Sequence, residues 1–211
     1  DTSLFQVFER INSSGRTLLP QEIRNCVYQG PINTLLFELN TNNKWRSLWG
    51  NETPDERMRD LEYILRFFAL SDDNIISAEK APAQISLKKC LNQYMESKNK
   101  ESFIPSLRER FIKCIDYAYD HFGVGAFHNI SQTDETKLVE KFSPTVFDSV
   151  LIAVDIAHKN GKVSQLKDGL EGKRLSKLKD QAYQKLLSQE TMRVPNIRKR
   201  VNEMFAALFG A

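Results

Sequence analysis

Apolar residues recur at steps of three and four positions along nearly the whole chain, which is the spacing of one face of a helix. The clearest case is the stretch 54–70, whose apolar positions are Met58, Leu61, Ile64, Leu65 and Phe68. Residues 144–160 are apolar on most sides, and a helix of that kind usually lies at the centre of a domain. We therefore expect a helical protein built around this central segment.

The same spacing predicts the remaining elements of the chain. Expected helices cover 3–11, 20–28, 31–40, 43–49, 54–70, 86–97, 105–122, 133–141 and 144–160. Residues 164–190 should be helical with a break near Gly169 and Gly172, and a last helix should turn its basic residues outwards. No alternating β-branched run predicts a strand. The predicted fold class is all-α, a compact irregular multi-helix bundle of roughly nine to eleven helices.

Composition places the chain among ordinary globular proteins. It has 211 residues, of which 41% are hydrophobic and 27% charged. No apolar run approaches the ~20 residues that a membrane span needs, and the first residues lack the features of a signal peptide. We expect no membrane partner, a cytoplasmic location, and one helical domain over 1–211. Because the chain starts at Asp1, we also expect it to be the C-terminal part of a longer protein whose N-terminal domain is absent.

Metal and thiol chemistry find little support in the sequence. The three cysteines, Cys26, Cys90 and Cys114, are far apart, so we expect free thiols rather than a disulfide framework or a zinc site. The adjacent acids at 72–73 and the histidines match no metal-ligand spacing. No metal ligand and no catalytic residue is predicted, and the sequence defines no oligomeric state.

Positive charge is concentrated at the C-terminal end. Residues 159–211 carry 12 Lys and Arg against 5 Asp and Glu. A basic face of this kind attracts phosphate backbones, so DNA is a candidate partner. A solvated helix face would have the same composition. The residues of the predicted basic face are Lys173, Arg174, Lys177, Lys179, Arg198, Lys199 and Arg200.

The stretch "FERINSSGRTLLPQEIRN" (residues 8–25) combines a turn with polar groups suited to a binding site. The Asn12 amide offers donors and an acceptor, and Gly15 allows the backbone to approach a phosphate closely. Arg10 or Arg16 would neutralise a phosphate, whereas Phe8 is typical of core packing. A simpler interpretation is a helix end, a turn and a helix start at Pro20.

This stretch resembles the F-x-x-x-N-x-x-G signature of the GmrSD-type restriction endonuclease N-terminal-domain family. Matching residues of this first block are Phe8, Asn12, Gly15, Leu18, Gln21, Glu22, Arg24, Asn25, Tyr28 and Gly30. A second block, "MRDLEYILRFFAL", and a third, "LKKCLNQYM", resemble two further helices of that family. The second places Arg59, Glu62, Leu65 and Arg66, and the third places Leu91, Asn92, Tyr94 and Met95.

The resemblance implies a defence function. Members of that family join a ParB/sulfiredoxin-like α/β domain, with a D-G-Q-Q-R motif tied to nucleotide hydrolysis and DNA cleavage, to a helical region, and they restrict phage DNA. This chain contains neither D-G-Q-Q-R nor an H-N-H motif. The resemblance therefore implies a full-length NTP-dependent enzyme that uses a nucleotide and a divalent metal. The fragment itself should hold no cofactor and have no activity alone.

In that interpretation the fragment braces its own N-terminal α/β domain. Phe8, Arg10, Asn12, Gly15 and Arg16 would help to complete a nucleotide or DNA site. Leu18, Gln21, Glu22, Arg24 and Arg66 would be structural residues of the family pattern. The alternative is a non-enzymatic helical module that binds nucleic acid or protein through the basic C-terminal face.

Overall fold

The computed structural model describes residues 2–11, 17–163 and 169–210. Its α-helices are α1 (Thr2–Ile11), α2 (Pro20–Val27), α3 (Pro31–Asn40), α4 (Asn43–Trp49), α5 (Arg59–Leu70), α6 (Asp73–Ile76), α7 (Leu87–Lys98), α8 (Ile104–Phe122), α9 (Pro144–Lys159), α10 (Leu170–Lys179), α11 (Gln181–Ser188) and α12 (Val194–Phe209). Two strands, β1 (His128–Ile130) and β2 (Leu138–Phe142), form a small hairpin. The predicted all-α class is confirmed, with twelve α-helices in the described ranges.

Most helix boundaries follow from local chemistry. Prolines open α2, α3 and α9 at their first helical position, where the missing N–H costs nothing. The side chain of Asn42 caps α4 by accepting from the Trp45 N–H at 3.0 Å, and Gly50 ends this helix at a φ of 81°. These signals are local in sequence, so the predicted ranges of α3 and α4 match the observed helices residue for residue.

The predicted helix over 54–70 begins later than expected, at Arg59. The preceding residues turn around the buried Asp60 carboxylate, which accepts from the Asp55 N–H at 2.9 Å and from Arg46 Nη1 at 2.6 Å. Arg46 also donates to the Thr53 carbonyl at 2.6 Å. Arg46 of α4 and Asp60 of α5 together hold residues 53–58 in a loop. The sequence pattern alone predicts a helix for most of this loop.

The predicted helix over 133–141 is wrong, because this segment turns and enters β2. The Asp134 carboxylate accepts from the Thr136 N–H at 3.0 Å, which bends the chain. Strand β2 then pairs antiparallel with β1, with His128 opposite Phe142 and Ile130 opposite Leu138. Phe142 packs against an aromatic group in the core, with ring centroids 4.7 Å from Tyr63 and 5.0 Å from Trp49. This distant packing outweighs the helix-like local composition.

The predicted helical region 164–190 is described only from Gly169 onwards, because residues 164–168 lie outside the described part of the chain. Within 169–190 the helix breaks at Asp180 and not at Gly172. Gly172 lies inside α10, and Gly169 directly precedes this helix at a φ of 80°. Asp180 ends α10 and caps α11, since its carboxylate accepts from the Ala182 N–H at 2.8 Å. The break therefore comes from a capping side chain rather than from glycine flexibility.

Helix α9 is the central element, as its apolar sequence predicts. Residues Val150 to Val154 are all buried, and α9 packs against α5, α8, α11 and α12. The buried apolar side chains form one continuous core. None of the described helices is long and apolar enough to cross a membrane.

One buried ionic cluster joins three of these helices. Asp148 on α9 is fully buried and receives two hydrogen bonds of 2.6 Å from Arg66 on α5. Arg200 on α12 donates to the same carboxylate at 3.0 Å and to the Thr191 carbonyl at 2.7 Å. Because a lone buried charge is strongly destabilising, all three side chains must meet for the helices to pack.

Two histidines favour the neutral form in the folded protein. Burial, and then the nearby Arg174, lower the pKa of His128 in β1. Burial, and then Lys113, lower the pKa of His158 near the end of α9, whose Nε2 is buried without a hydrogen-bond partner in the described chain. The unfolded chain therefore binds these protons more readily at mildly acidic pH.

Replacing Asp148 with Ala should lower the free energy of unfolding by about 3–5 kcal/mol, because it leaves two buried guanidinium groups without a counter-charge. Guanidinium chloride titration measures this value. Asp120→Ala is the matched control, since Asp120 pairs with Lys44 at 2.9 Å but its side chain is 56% exposed. The control should cost no more than about 1 kcal/mol. Equal losses for the two variants would contradict the role given to the Asp148 cluster.

Stability should fall as the pH drops below the ordinary histidine pKa of 6.5, because both histidines have lowered pKa values in the fold. We expect a lower melting temperature at about pH 5.5 than at about pH 7.5. The double variant His128→Gln/His158→Gln should flatten this step. Carboxylates with lowered pKa values, such as Glu38 beside Arg108, titrate below their ordinary 4.5 and so affect a separate range. If the double variant shows the same fall in melting temperature at acidic pH, groups other than these two histidines cause it.

Candidate functional site

A buried polar cluster lies where α2, α5 and α7 meet. At its centre Arg24 on α2 is 1% exposed. Its Nε donates to Asn92 Oδ1 at 2.8 Å, and its Nη1 donates to Gln21 Oε1 and to Glu62 Oε2, both at 2.9 Å. Gln21 in turn donates to Asn25 Oδ1 at 2.9 Å. We call these five residues the Arg24 cluster.

The Arg24 cluster brings together residues from the three blocks defined in the sequence analysis. Gln21, Arg24 and Asn25 come from the first block, Glu62 from the second and Asn92 from the third. The contacts join positions 38 and 68 residues apart in the chain. A buried network of this kind is stable only when every member is satisfied, so the polar positions of the three blocks act as one structural unit.

The charge state of the cluster follows from its burial. Burial lowers the pKa of Arg24, and the adjacent Glu62 carboxylate opposes that shift, so the guanidinium remains protonated at neutral pH. Cys90 on α7 lies near Arg24. Burial, and then the Asp72 carboxylate, raise the pKa of its thiol to about 11. A thiol with this pKa is almost wholly protonated at neutral pH and is a poor nucleophile.

A second set of contacts ties down the chain directly after the segment 12–16. Glu22 Oε2 accepts from the Leu19 N–H at the start of α2 and from Arg57 Nε at 3.0 Å. Arg57 Nη2 also donates to the Thr17 carbonyl at 2.7 Å. We call this set the Arg57 clamp. It fixes the end of the segment against the loop that leads into α5.

A cleft of about 310 Å³ lies between α1 and α7, next to the Arg24 cluster. The wall formed by α1 includes Glu9 and the exposed Arg10, and the wall formed by α7 includes Lys88 and Lys89. Asn92, a member of the Arg24 cluster, also lines this cleft. We call it the α1/α7 cleft, and it is the place where the described residues combine a cavity, positive charge and the family blocks.

The predicted nucleotide- or DNA-site residues are only partly covered by the structure. Arg10 lines the α1/α7 cleft. Phe8 lies in α1, but its side chain lies outside the described part of the chain, as do Asn12, Gly15 and Arg16. Their proposed contacts therefore stay predictions.

The predicted structural residues take four different positions. Gln21 and Arg24 belong to the Arg24 cluster, and Glu22 belongs to the Arg57 clamp. Leu18 is 37% exposed, so it is a surface residue. Arg66 does not join the Arg24 cluster, because it pairs with Asp148 in the core.

The prediction of an exposed basic face is wrong for Arg174 and Arg200. At Arg198 and Lys177 the positive charge is held by contacts within the protein. Arg174 and Arg200 are fully buried: Arg174 pairs with Glu171 and donates to the Ala126 carbonyl, and Arg200 pairs with Asp148. Arg198 donates to two backbone carbonyls near α6. Lys177 pairs with two acidic residues, Asp180 and Glu203. The remaining members of the predicted face, Lys173, Lys179 and Lys199, are exposed.

Sequence reasoning missed the cleft residues Lys88 and Lys89 and the clamp residue Arg57. All three carry ordinary surface charges in the sequence. Only the pairing of α1 with α7, and of the 53–58 loop with α2, gives them a common position. A family comparison offers no further guide, since no protein-family model, no curated protein and no solved structure matches the chain.

Metal ligation finds no site in the parts of the chain that the structure describes: no group of three or more His, Cys, Asp or Glu residues there could hold an ion. The three cysteines are free, with Cys26 exposed, Cys90 half-buried and Cys114 buried. The α1/α7 cleft itself is lined mainly by hydrogen-bonding and charged side chains.

Arg24→Lys should lower the free energy of unfolding by about 2–4 kcal/mol, because an ammonium group cannot satisfy the three separate acceptors that Arg24 binds. Urea titration measures the loss. Arg59→Lys is the matched control, since Arg59 pairs with Asp55 but its side chain is 64% exposed. It should change stability by about 1 kcal/mol or less. A loss at position 24 as small as that at position 59 would contradict a joined cluster.

Proposed function

We propose that this chain is the helical part of a GmrSD-like phage-defence protein. It would brace an α/β catalytic domain and complete that domain's nucleotide or DNA site with the segment from Phe8 to Arg16. Catalysis is assigned to the α/β domain, which would bind the nucleotide and a divalent metal. The proposal rests on the family resemblance and on the way the described residues support the segment.

The observation that carries the proposal is the convergence of the three family blocks in the Arg24 cluster. Arg24 contacts Glu62 and Asn92, which belong to different helices and different blocks. Isolated core patterns recur in many helical proteins, but a polar network needs matching partners at each position. The resemblance is therefore supported by a three-dimensional reason for its polar residues.

The Arg57 clamp supports the role of the segment itself. A binding segment works best when its ends are held by rigid elements. Helix α1 contains the first residues of the segment, and Phe5 anchors that helix with only 1% of its surface exposed. Arg57 and Glu22 hold the other end through the Thr17 carbonyl and the Leu19 N–H. Such anchoring would present Asn12, Gly15 and Arg16 to a neighbouring domain.

Exposed apolar residues on α1 support contact with a further domain. Leu4 and Val7 lie one turn apart and are 42% and 48% exposed. Residues three apart share a helix face, so the two side chains form a small apolar strip. A strip of this kind, close to the proposed binding segment, suits a surface that a catalytic domain covers.

The second interpretation, a nucleic-acid module built on the basic C-terminal face, has less support. Arg174 pairs with the partly exposed Glu171 and Arg200 pairs with the buried Asp148, and neither arginine faces solvent. This leaves Lys173, Lys179 and Lys199 as the exposed charges of that set. Three scattered lysines would bind DNA weakly and with a shallow dependence on salt concentration. We therefore favour the defence function.

The test uses the complete gene product in phage plating and nucleotide-hydrolysis assays. Asn12→Ala should reduce hydrolysis at least about tenfold and abolish protection, because the segment would lose the amide that orients the catalytic site. The control is Lys141→Ala, at an exposed position of β2, which should keep both activities. Equal melting temperatures of the variants exclude a folding defect.

Two outcomes would contradict the proposal. One is a complete gene product that encodes no D-G-Q-Q-R-like motif and hydrolyses no nucleotide. The other is an Asn12→Ala variant with unchanged protection. DNA binding that disappears in the triple variant Lys173→Ala/Lys179→Ala/Lys199→Ala, together with unchanged Asn12→Ala activity, would favour the nucleic-acid module instead.

A further inference from the structure

The α1/α7 cleft carries an excess of positive charge. Arg10, Lys88 and Lys89 line it, against the single carboxylate of Glu9. Lys88 Nζ lies 2.8 Å from Glu9 Oε1, but both side chains are more than 40% exposed, so this pair contributes little energy and is readily exchanged. The lining therefore carries two positive charges more than negative ones.

A buried amide contributes to the lining of the same cleft. Asn92 is 2% exposed, and its Oδ1 is occupied by the Arg24 Nε donor at 2.8 Å. That contact fixes the orientation of the amide and leaves Nδ2 as the atom able to donate to a ligand. The cleft thus combines a preoriented hydrogen-bond donor with the exposed charges of Arg10, Lys88 and Lys89.

The start of α7 adds to the positive potential. Lys88 and Lys89 lie in its first turn, and Ser86 at the N-cap position makes no capping hydrogen bond with its side chain. Backbone N–H groups at such a helix start favour an anion, and α7 has 12 residues, enough for a helix dipole. This effect supplements the charged side chains and the Asn92 amide.

Another cleft shows why charge balance matters. Arg110 lines a cleft of about 230 Å³ near α8, together with Asp72, Asp73, Lys98 and Lys159. There the guanidinium group already binds Asp155 through two hydrogen bonds of 2.6 Å. Its donors are used within the protein, whereas the α1/α7 cleft keeps an excess of cations.

We propose that the α1/α7 cleft binds a phosphate group through Asn92 Nδ2, Arg10 and Lys89, with Lys88 joining when it leaves Glu9. The volume of about 310 Å³ suits a phosphate with an attached sugar rather than a large ligand. The inference deepens the proposed function, since it names the anion that this side of the domain would receive. Binding to the cleft can be measured on the 211-residue chain without any further domain.

The test follows the backbone amides of Lys88 and Lys89 and the side-chain amide of Asn92 by NMR during titration. The probes are inorganic phosphate, ATP and a short DNA duplex, with chloride at constant ionic strength as the reference. A free nucleotide as the source predicts tighter binding of ATP, whereas a DNA backbone predicts tighter binding of the duplex. We expect saturable shifts confined to the cleft.

Single variants of the lining residues test the site while keeping the fold. Asn92→Asp retains an acceptor for Arg24 Nε but places a negative charge against the ligand, so phosphate binding should be lost. Lys89→Ala, at an exposed position, should weaken binding about fivefold, the value of one surface charge contact of about 1 kcal/mol. Glu9→Gln should strengthen it, because the competing carboxylate is gone. Lys141→Ala is the control for unspecific charge and should leave binding unchanged.

Absence of saturable shifts with all three probes would overturn the inference, and so would binding that persists in Asn92→Asp or falls equally in Lys141→Ala. These results are independent of the plating assay. Loss of protection in Asn12→Ala without phosphate binding would reject the cleft and retain the defence function. Phosphate binding in a complete gene product without nucleotide hydrolysis would retain the cleft and reject the enzyme assignment.

Discussion

The packing of this bundle depends on one buried carboxylate, Asp148, held between two guanidinium groups. Desolvation of charge in an apolar core is costly, so Asp148 on the central helix is tolerated only with Arg66 and Arg200 in place. Ridges of apolar side chains allow several alignments of neighbouring helices, but a three-membered ionic contact allows few. The cluster therefore selects one arrangement of α5, α9 and α12, and the core forms around it.

The Arg24 cluster repeats this logic at the N-terminal side of the fold. It is less enclosed than the Asp148 cluster, because the Glu62 side chain is 31% exposed while Asp148 is fully buried. Asn92, although itself buried, has two contacts: it satisfies Arg24 and also borders the α1/α7 cleft.

Much of the fold is predictable from the sequence, because helix spacing, proline starts and polar caps are local signals, as α3 and α4 illustrate. The hairpin at 128–142 is not, since its stability comes from the packing of Phe142 against rings far away in the chain. The site shows the same division. Gln21, Arg24 and Asn92 stand out in sequence motifs, but the hydrogen bond between Arg24 and Asn92 is identified only when α7 packs against α2. The prediction that Arg174 and Arg200 face solvent is wrong, because composition does not distinguish a solvated arginine from one paired in the core.

The Arg57 clamp has a consequence for exchanging parts of this protein. The chain just before α2 is held in place, because the Thr17 carbonyl accepts a hydrogen bond from Arg57, which lies in the loop that leads into α5. A transplant of residues 8–25 into another helical scaffold would carry Thr17 and Glu22 but leave behind the arginine that binds them. A chimaera that keeps the start of α2 in its present setting therefore has to include Arg57 as well.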